Sequence, residues 1–130
     1  MRDRNNRMEK EYPNEQLKVI LKALVEKQAF DIKILDVRKL TWVTDLFVIA
    51  SVDTITQAKA VVEALTIEEK RLRPHAIEGE GSAQWVLFDY GDILLHLFLP
   101  GVRSLYSLEK LWFDAEDISS AFVSSFLQTR

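Results

Sequence analysis

The sequence predicts an α/β domain in which helices pack on a mixed β-sheet of about five strands. Segments with apolar residues at helical spacing alternate along the chain with short, β-rich apolar segments, and such interleaving is typical of helices layered on a sheet. The chain has 130 residues, of which 48% are hydrophobic. This is enough for one core but hardly for two. The predicted order of elements is α-β-β-α-β-β-β-α.

The first half of the chain is predicted to hold two helices and two strands. A helical stripe of apolar residues begins just after Pro13: Leu17, Ile20, Leu21, Leu24 and Val25. Residues 32–37 form a first strand, and the continuously apolar residues 46–50 are typical of a central strand buried on both faces. Thr54 and Gln57 fit a capping box. We therefore expect a second helix to start there and to end before Pro74.

The second half is predicted to hold three strands followed by helices. Residues 75–78, 84–88 and 93–98 have strand character, and the last two are joined by an Asp-Tyr-Gly-Asp turn. Pro100 and Gly101 interrupt the pattern. Helices are expected over residues 106–112 and from Asp114 to about residue 127. We divide the chain into a polar N-terminal tail (1–12), the domain (13–116) and a C-terminal helical extension (117–130).

Composition narrows the function classes. The net charge is −3 and the sequence pI is near 5.4, whereas proteins that bind nucleic acid mainly through its phosphates normally carry a basic surplus. We expect no direct sequence-specific nucleic acid binding. There are no cysteines, so disulfides, thiol nucleophiles and thiolate metal sites are excluded. No apolar run approaches the roughly 20 residues that span a bilayer, so we expect no membrane association and a cytoplasmic location.

The predicted hairpin around residues 85–98 is the most informative local feature. A turn centred between Tyr90 and Gly91 pairs Trp85 with His96, Leu87 with Leu94 and Asp89 with Asp92. Because side chains alternate along a strand, these residues share one face, which mixes an aromatic ring, a histidine and acids. The other face is uniformly apolar and is expected to be core: Val86, Phe88, Ile93, Leu95 and Leu97.

Three of the aromatic residues and one histidine each have two interpretations, a structural role and a binding role. Trp85 is either a packed aromatic whose N–H is satisfied or a hot spot for binding, and the same alternatives hold for Tyr106 and Trp112. Trp42 lies in a connection and is expected to pack. His75 and His96 are the only histidines. They lack metal-ligand spacing, so we expect no metal site and read His96 as a hydrogen-bonded sheet residue or an interface donor.

A comparison with nucleotidyltransferases leaves an enzyme-like alternative open. Those enzymes use a Gly-Ser loop together with two carboxylates on one strand that hold two metals. Gly81 and Ser82 are present, but Asp89 and Asp92 flank a turn, where acids are ordinary turn formers. The alternative function is therefore a degenerate nucleotidyltransferase-fold protein that binds a nucleotide.

Three sequence blocks, in order and spacing, resemble the ribosomal silencing factor (Iojap-like) family over roughly residues 14–115. Residues 44–50 match its T-D-x-F-V-I-A segment. Residues 78–98 match its E-G…W-x-L-x-D-Y-G-D-x-x-x-H-x-F block, and residues 103–112 match its R-x-x-Y-x-L-E-x-L-W ending. Two departures are Val52-Asp53-Thr54, where the family usually has a glycine and a serine, and Ala83 in place of a frequent glycine.

The resemblance implies a nucleotidyltransferase-like fold without enzymatic activity or a cofactor. It implies binding to the large ribosomal subunit through its protein uL14, a steric block of subunit joining that represses translation, and a role in large-subunit maturation. Family members can self-associate, and a Phe122/Phe126 stripe would suit a homodimer. The implied contact surface comprises nine residues: Trp85, Asp89, Tyr90, Asp92, His96, Arg103, Tyr106, Glu109 and Trp112.

Overall fold

The computed structural model describes residues 12–106 and 108–122. The helices are α1 (Asn14–Glu26), α2 (Ile55–Glu63), which continues as a π-helical turn (Ala64–Glu68), α3 (Pro100–Tyr106) and α4 (Leu108–Leu111). The strands are β1 (Phe30–Asp36), β2 (Leu46–Ser51), β3 (Ala76–Glu78), β4 (Trp85–Asp89), β5 (Ile93–Phe98) and β6 (Glu116–Asp117). The predicted α/β class and the predicted order of elements through β5 are confirmed. The prediction for the next segment is wrong in its bounds. Pro100, which is predicted to interrupt the pattern, begins α3, since proline is tolerated in the first turn of a helix, and α4 covers only part of the helix predicted over residues 106–112.

The six strands form one mixed sheet in the order β3-β4-β5-β2-β1-β6. The pair of β2 and β5 is parallel, and the other neighbours are antiparallel. All six residues of β2 are buried, as a continuously apolar central strand requires. The prediction of β2 as the central strand is therefore confirmed.

Helices cover both faces of the sheet and enclose two apolar clusters. The first cluster joins one sheet face to α1 and α2 and includes Leu24, Val48, Val61 and Leu95. The second cluster joins the opposite face to α3, α4 and the segment after them. Its buried members are Leu35, Val37, Phe47, Ile49, Phe98 and Leu108. A helix layer on each side leaves little of the central sheet exposed.

The predicted start of α2 is confirmed in atomic detail. The Oγ1 of Thr54 accepts a hydrogen bond from the backbone N–H of Gln57 at 3.1 Å. In return, Oε1 of Gln57 accepts from the backbone N–H of Thr54 at 3.2 Å. This reciprocal capping box satisfies two backbone donors that a helix start otherwise leaves without partners.

The hairpin register predicted from the sequence is wrong by two residues. Trp85 pairs with Phe98, Leu87 with His96, and Asp89 with Leu94. The loop contains Gly91 and Asp92, and the backbone N–H of Tyr90 donates to the carbonyl of Ile93 at 2.9 Å. Gly91 has a φ of 85°, which suits the first position of such a two-residue turn. A shift of two preserves the face of every side chain, so the predicted apolar core face is confirmed.

The C-terminal region departs from the predicted helix that begins at Asp114. Glu116 and Asp117 instead form β6, which pairs with Leu35 and Asp36 of β1, and helical structure begins only at Ser119. Ile118 is 9% exposed and belongs to the first cluster. Two exposed polar residues can complete a sheet edge through backbone hydrogen bonds alone. The helical spacing of Ile118 and Phe122 in the sequence gives no sign of this edge strand.

Candidate interaction surface

Trp85 and His96 are in direct contact on the sheet face that carries the second cluster. The indole Nε1 of Trp85 donates a hydrogen bond to Nδ1 of His96 at 3.1 Å. The ring of Trp85 lies 4.9 Å from that of Phe98, and the ring of His96 lies 5.1 Å from that of Phe47. Trp85 is half-buried and His96 is 6% exposed. Of the two interpretations of Trp85, the geometry favours the packed aromatic with a satisfied N–H.

Burial keeps His96 neutral. Desolvation lowers the pKa of His96 from its usual 6.5 to about 4, because a charged imidazolium loses its hydration in an apolar surrounding. Nδ1 accepts the hydrogen bond from the indole N–H, so the neutral ring carries its own proton on Nε2. That Nε2 is buried without a hydrogen-bond partner among the described residues. His96 is thus a structural acceptor in this fold.

Trp112 follows α4 and packs on the same cluster. Its ring meets Phe47 edge-on, with the ring centroids 5.1 Å apart, and it remains half-buried. The next residue, Phe113, is 79% exposed. Trp112 therefore fastens the helical layer to the sheet near the start of β2, while its neighbour points to solvent.

The Asp-Tyr-Gly-Asp turn places its residues in three different environments. Oδ1 of Asp89 accepts from the backbone N–H of Gly91 at 2.8 Å, which is the turn-forming role that acids commonly have. Tyr90 is 2% exposed in the first cluster, and burial raises the pKa of its phenol well above the ordinary value. Asp92 is exposed. Of these three candidates, Asp92 offers the most surface to a partner.

The remaining candidates lie on α3 and α4. Arg103 is half-buried, and its Nη1 donates to Oγ of Ser51 at 2.8 Å. Tyr106 is the last residue of α3, and Glu109 lies within α4. The side chains of Tyr106 and Glu109 lie outside the described part of the structure. Arg103 sits near the C-terminal end of β2, at the opposite end of that strand from the Asp92 turn.

The β1–β2 loop exposes three large apolar side chains, among them Trp42, which the sequence predicts to pack. Trp42 is 80% exposed, Val43 is 74% exposed and Leu40 is 44% exposed. The prediction that Trp42 packs is wrong. Hydrogen bonds of the backbone and of Thr44 hold the loop in place while these side chains remain exposed. A tryptophan outside any strand or helix periodicity was the signal that could have identified it.

Hydrogen bonds fix both ends of this loop. The carbonyl of Val37 accepts from the N–H groups of Leu40 and Thr41 at 2.9 and 3.0 Å. At the other end, Oγ1 of Thr44 donates to the carbonyl of Gly91 at 3.0 Å, and the N–H of Asp45 donates to the carbonyl of Asp92 at 3.1 Å. The loop is therefore joined to the Asp92 turn. We call Trp42, Val43 and Asp92 the Trp42 surface.

A buried ion pair supports the base of the loop. Arg38 donates to both carboxylate oxygens of Asp36, from Nε at 3.1 Å and from Nη2 at 2.7 Å. Burial alone would raise the pKa of Asp36, but the hydrogen bonds from Arg38 and Tyr12 hold it below the usual value. The guanidinium also lies 4.5 Å from the centre of the Tyr12 ring. This bidentate pair fixes the direction in which the chain leaves β1.

The backbone conformation at Gly79 accounts for the Glu-Gly pair of the motif over residues 78–98. Gly79 has a φ of 85°, and a Cβ built there would lie 2.1 Å from the carbonyl oxygen of Trp85. Only glycine fits such an approach. Ala83 has a φ of 61° and is buried, which accounts physically for the frequent glycine at this position. The two residues shape the loop that leads into β4, and Gly81 and Ser82 between them are exposed.

Neither a metal-binding cluster nor a membrane-spanning helix is found in the part of the chain that the structure describes. Residues 12–106 and 108–122 contain no cluster of three or more histidine, aspartate or glutamate side chains that could hold a metal ion. Within the same ranges, no helix has the length and apolar character needed to cross a bilayer.

The comparisons with known proteins agree on one family. The sequence model of the family described as "Ribosomal silencing factor during starvation" matches residues 10–129. The ribosomal silencing factor of Bacillus subtilis is 37% identical over 101 residues, which are 76% of this chain and 86% of that protein. The chloroplastic protein Iojap of maize is 34% identical over 104 residues, which are 79% of this chain and 46% of that protein.

A solved structure supports the same assignment. The crystal structure of a protein from Chromobacterium violaceum has a TM-score of 0.71 and 34% identity, and the match covers 78% of this chain and 87% of that one. The expected resemblance is thus confirmed in sequence and in fold. This chain belongs to the ribosomal silencing factor family.

Proposed function

We propose that this protein binds the large ribosomal subunit through its protein uL14 and thereby blocks the joining of the small subunit. Membership of the silencing factor family supports the ribosome as the target. The observation that carries the choice of surface is the exposure of Trp42 and Val43 on a loop anchored by hydrogen bonds. Such a preformed apolar surface loses little conformational entropy on binding.

The chemistry of the Trp42 surface suits a protein partner better than RNA. Tryptophan is among the residues that dominate protein–protein binding energies. Leu40 and Val43 are exposed on the same loop as Trp42, and a group of exposed apolar side chains is typical of an interaction site. Asp92, in the turn that is hydrogen-bonded to the end of this loop, brings a negative charge. An acidic chain of net charge −3 is repelled by rRNA phosphates but attracted to basic ribosomal proteins, which aids encounter and orientation.

The block is steric in this proposal, so it requires no catalytic group. Trp85, His96 and Tyr90, which the family resemblance implied as contacts, contribute by holding the hairpin and the second cluster in place. Asp92 and Trp42 contribute by contact. A domain that occupies the uL14 side of the intersubunit surface excludes the small subunit by volume alone, and translation is repressed as a result.

Sedimentation with purified ribosomal subunits tests the proposal. We expect the protein to sediment with large subunits at near-physiological salt, to stay off small subunits, and to lower the yield of joined ribosomes when it is added before the small subunit. A direct binding measurement with isolated uL14 addresses the partner. Absence from the large subunit contradicts the proposal, whereas large-subunit binding without binding to isolated uL14 contradicts uL14 as the contact.

Two further expectations are kept as secondary proposals. A role in large-subunit maturation is supported by the mouse relative named "Mitochondrial assembly of ribosomal large subunit protein 1", which is 34% identical over 99 residues. A homodimer built on Phe122 and Phe126 has less support, because Phe122 packs on the first cluster and on the ring of Tyr12 at 5.7 Å. Phe126 lies outside the described residues. Light scattering measures the oligomeric state directly.

A further inference from the structure

A groove lined by both charged and apolar groups lies between the helical layer and the sheet, away from the Trp42 surface. Its volume is about 530 Å³, which falls within the range of small-molecule sites. It opens where β1 begins and β2 ends, and Phe30, Ser51 and Arg103 are among its walls. β2 has six residues, so the groove and the Trp42 surface lie roughly 17 Å apart at ~3.3 Å per residue.

The charge of the groove is opposite to that of the chain. Among the described residues that line it, Lys33, Arg103 and Lys110 are cationic and Asp31 is the single acid. The chain as a whole has a net charge of −3. A concave wall with a surplus of one sign concentrates the local potential and attracts small counter-ions.

The polar side chains are placed for phosphate oxygens. Arg103 donates to Oγ of Ser51 at 2.8 Å, which fixes its guanidinium at the wall. Lys33 lies 3.5 Å from Asp117, in an ion pair in which both side chains are about half exposed. Such exposed pairs contribute little stability, so Lys33 can exchange this carboxylate for a ligand anion. Arginine and lysine side chains are the usual phosphate binders in proteins.

Backbone strain occurs at the same place. Phe30 pairs with Ser51 and Lys33 with Ile49, so β1 contains one extra residue between these pairs and forms a β-bulge. Within the bulge, Asp31 has a φ of 52°, which is uncommon for a residue other than glycine. Bulges redirect side chains and are enriched next to functional sites. Here the bulge brings Asp31 and Lys33 to the groove wall.

We propose that this groove binds the diphosphate of a nucleoside diphosphate. The cations bind the phosphate oxygens, and the half-buried ring of Phe30 at the wall offers a surface for the base. A small ligand suits the site better than an RNA strand, because tight binding of a polyanion draws on many spread phosphate contacts and this chain is acidic. The site is separate from Gly81 and Ser82, and it does not depend on ribosome binding.

Calorimetric titration with ADP tests the site, with adenosine as the ligand that lacks phosphates. We expect ADP to bind and adenosine to bind far more weakly. The double variant Lys33→Gln/Lys110→Gln should weaken ADP binding by at least about tenfold, since it removes two of the three cations among the described residues that line the groove. Both lysines are exposed, so the melting temperature should not change. Lys59→Gln, at an exposed lysine on α2, is the matched control and should bind ADP like the parent protein.

Several results would overturn the inference. Any one of three results would contradict the phosphate site. The first is that ADP fails to bind at millimolar concentration, the second is that adenosine binds as tightly as ADP, and the third is that the double variant binds ADP with unchanged affinity. A single-stranded RNA homopolymer that binds more tightly than ADP and depends on the same two lysines reassigns the groove to backbone phosphates. Large-subunit sedimentation of the double variant should match that of the parent, which keeps this test independent of the proposed function.

Discussion

The indole N–H of Trp85 donates to Nδ1 of His96 across two strands, although neither residue is the other's register partner. Trp85 pairs with Phe98, and His96 pairs with Leu87, so the 3.1 Å hydrogen bond is diagonal. Long side chains reach such diagonal neighbours on one sheet face. The contact requires an unprotonated Nδ1, and it therefore links the packing of the second cluster to the charge state of one histidine.

This contact predicts a loss of stability in mild acid. The folded protein keeps His96 neutral down to a pKa of about 4, whereas the unfolded chain takes up a proton near 6.5. The free energy of unfolding should therefore fall as the pH drops from 6.5 to 4, by up to about 3 kcal/mol in total. Urea unfolding at a series of pH values measures it.

Two glutamine variants separate His96 from other titrating groups. His96→Gln should flatten the dependence between pH 6.5 and 4, because glutamine cannot gain a charge there. His75 is exposed, so His75→Gln should leave the dependence as it is. Equal pH profiles for the parent protein and His96→Gln would disprove the role given to His96.

The close approach of Gly79 to β4 predicts a large effect of one methyl group. Gly79→Ala places a Cβ 2.1 Å from the carbonyl oxygen of Trp85 at a φ of 85°, so we expect a loss of at least about 2 kcal/mol of unfolding free energy. Gly81 has open space around its Cβ position, and Gly81→Ala should change stability by less than about 0.5 kcal/mol. Thermal unfolding compares the two. Similar melting temperatures would contradict this account of the Glu-Gly pair.

The ion pair below the Trp42 loop should matter far more than an exposed one. In the pair of Arg38 and Asp36 the side chains are 2% and 9% exposed. Asp36→Ala leaves a buried guanidinium without its carboxylate and should cost about 3–5 kcal/mol. The pair of Arg71 and Glu15 is 74% exposed on both sides, so Arg71→Gln should cost less than about 1 kcal/mol. Comparable losses in urea unfolding would show that Arg38 is not held as described.

The sequence predicts strongly periodic elements well because burial dictates them. The apolar run of β2, the capping box at Thr54 and the apolar face of the hairpin all follow from side-chain pattern. The hairpin register depends on which residue adopts positive φ in the turn, and β6 depends on backbone pairing with β1. Side-chain pattern carries little information about either, which explains both errors.

The candidate surface was harder to predict than the fold. Motif matching identifies Trp85, Tyr90 and His96 but does not say whether such residues pack or bind, and the structure buries Tyr90 and His96. Trp42 lies just outside the motif block, and its exposure depends on the hydrogen bonds from Thr44 and Asp45 to the neighbouring turn. These long-range contacts have no local signature in the sequence.

Binding of a Trp42→Ala variant to purified large ribosomal subunits tests the central claim most directly. We expect at least about tenfold weaker binding, as for loss of an interface hot spot, with an unchanged melting temperature because the side chain is 80% exposed. Ile67, which is 62% exposed beyond α2, provides the control, and Ile67→Ala should bind like the parent protein. Equal binding by Trp42→Ala and the parent protein would contradict the claim that this surface contacts the ribosome.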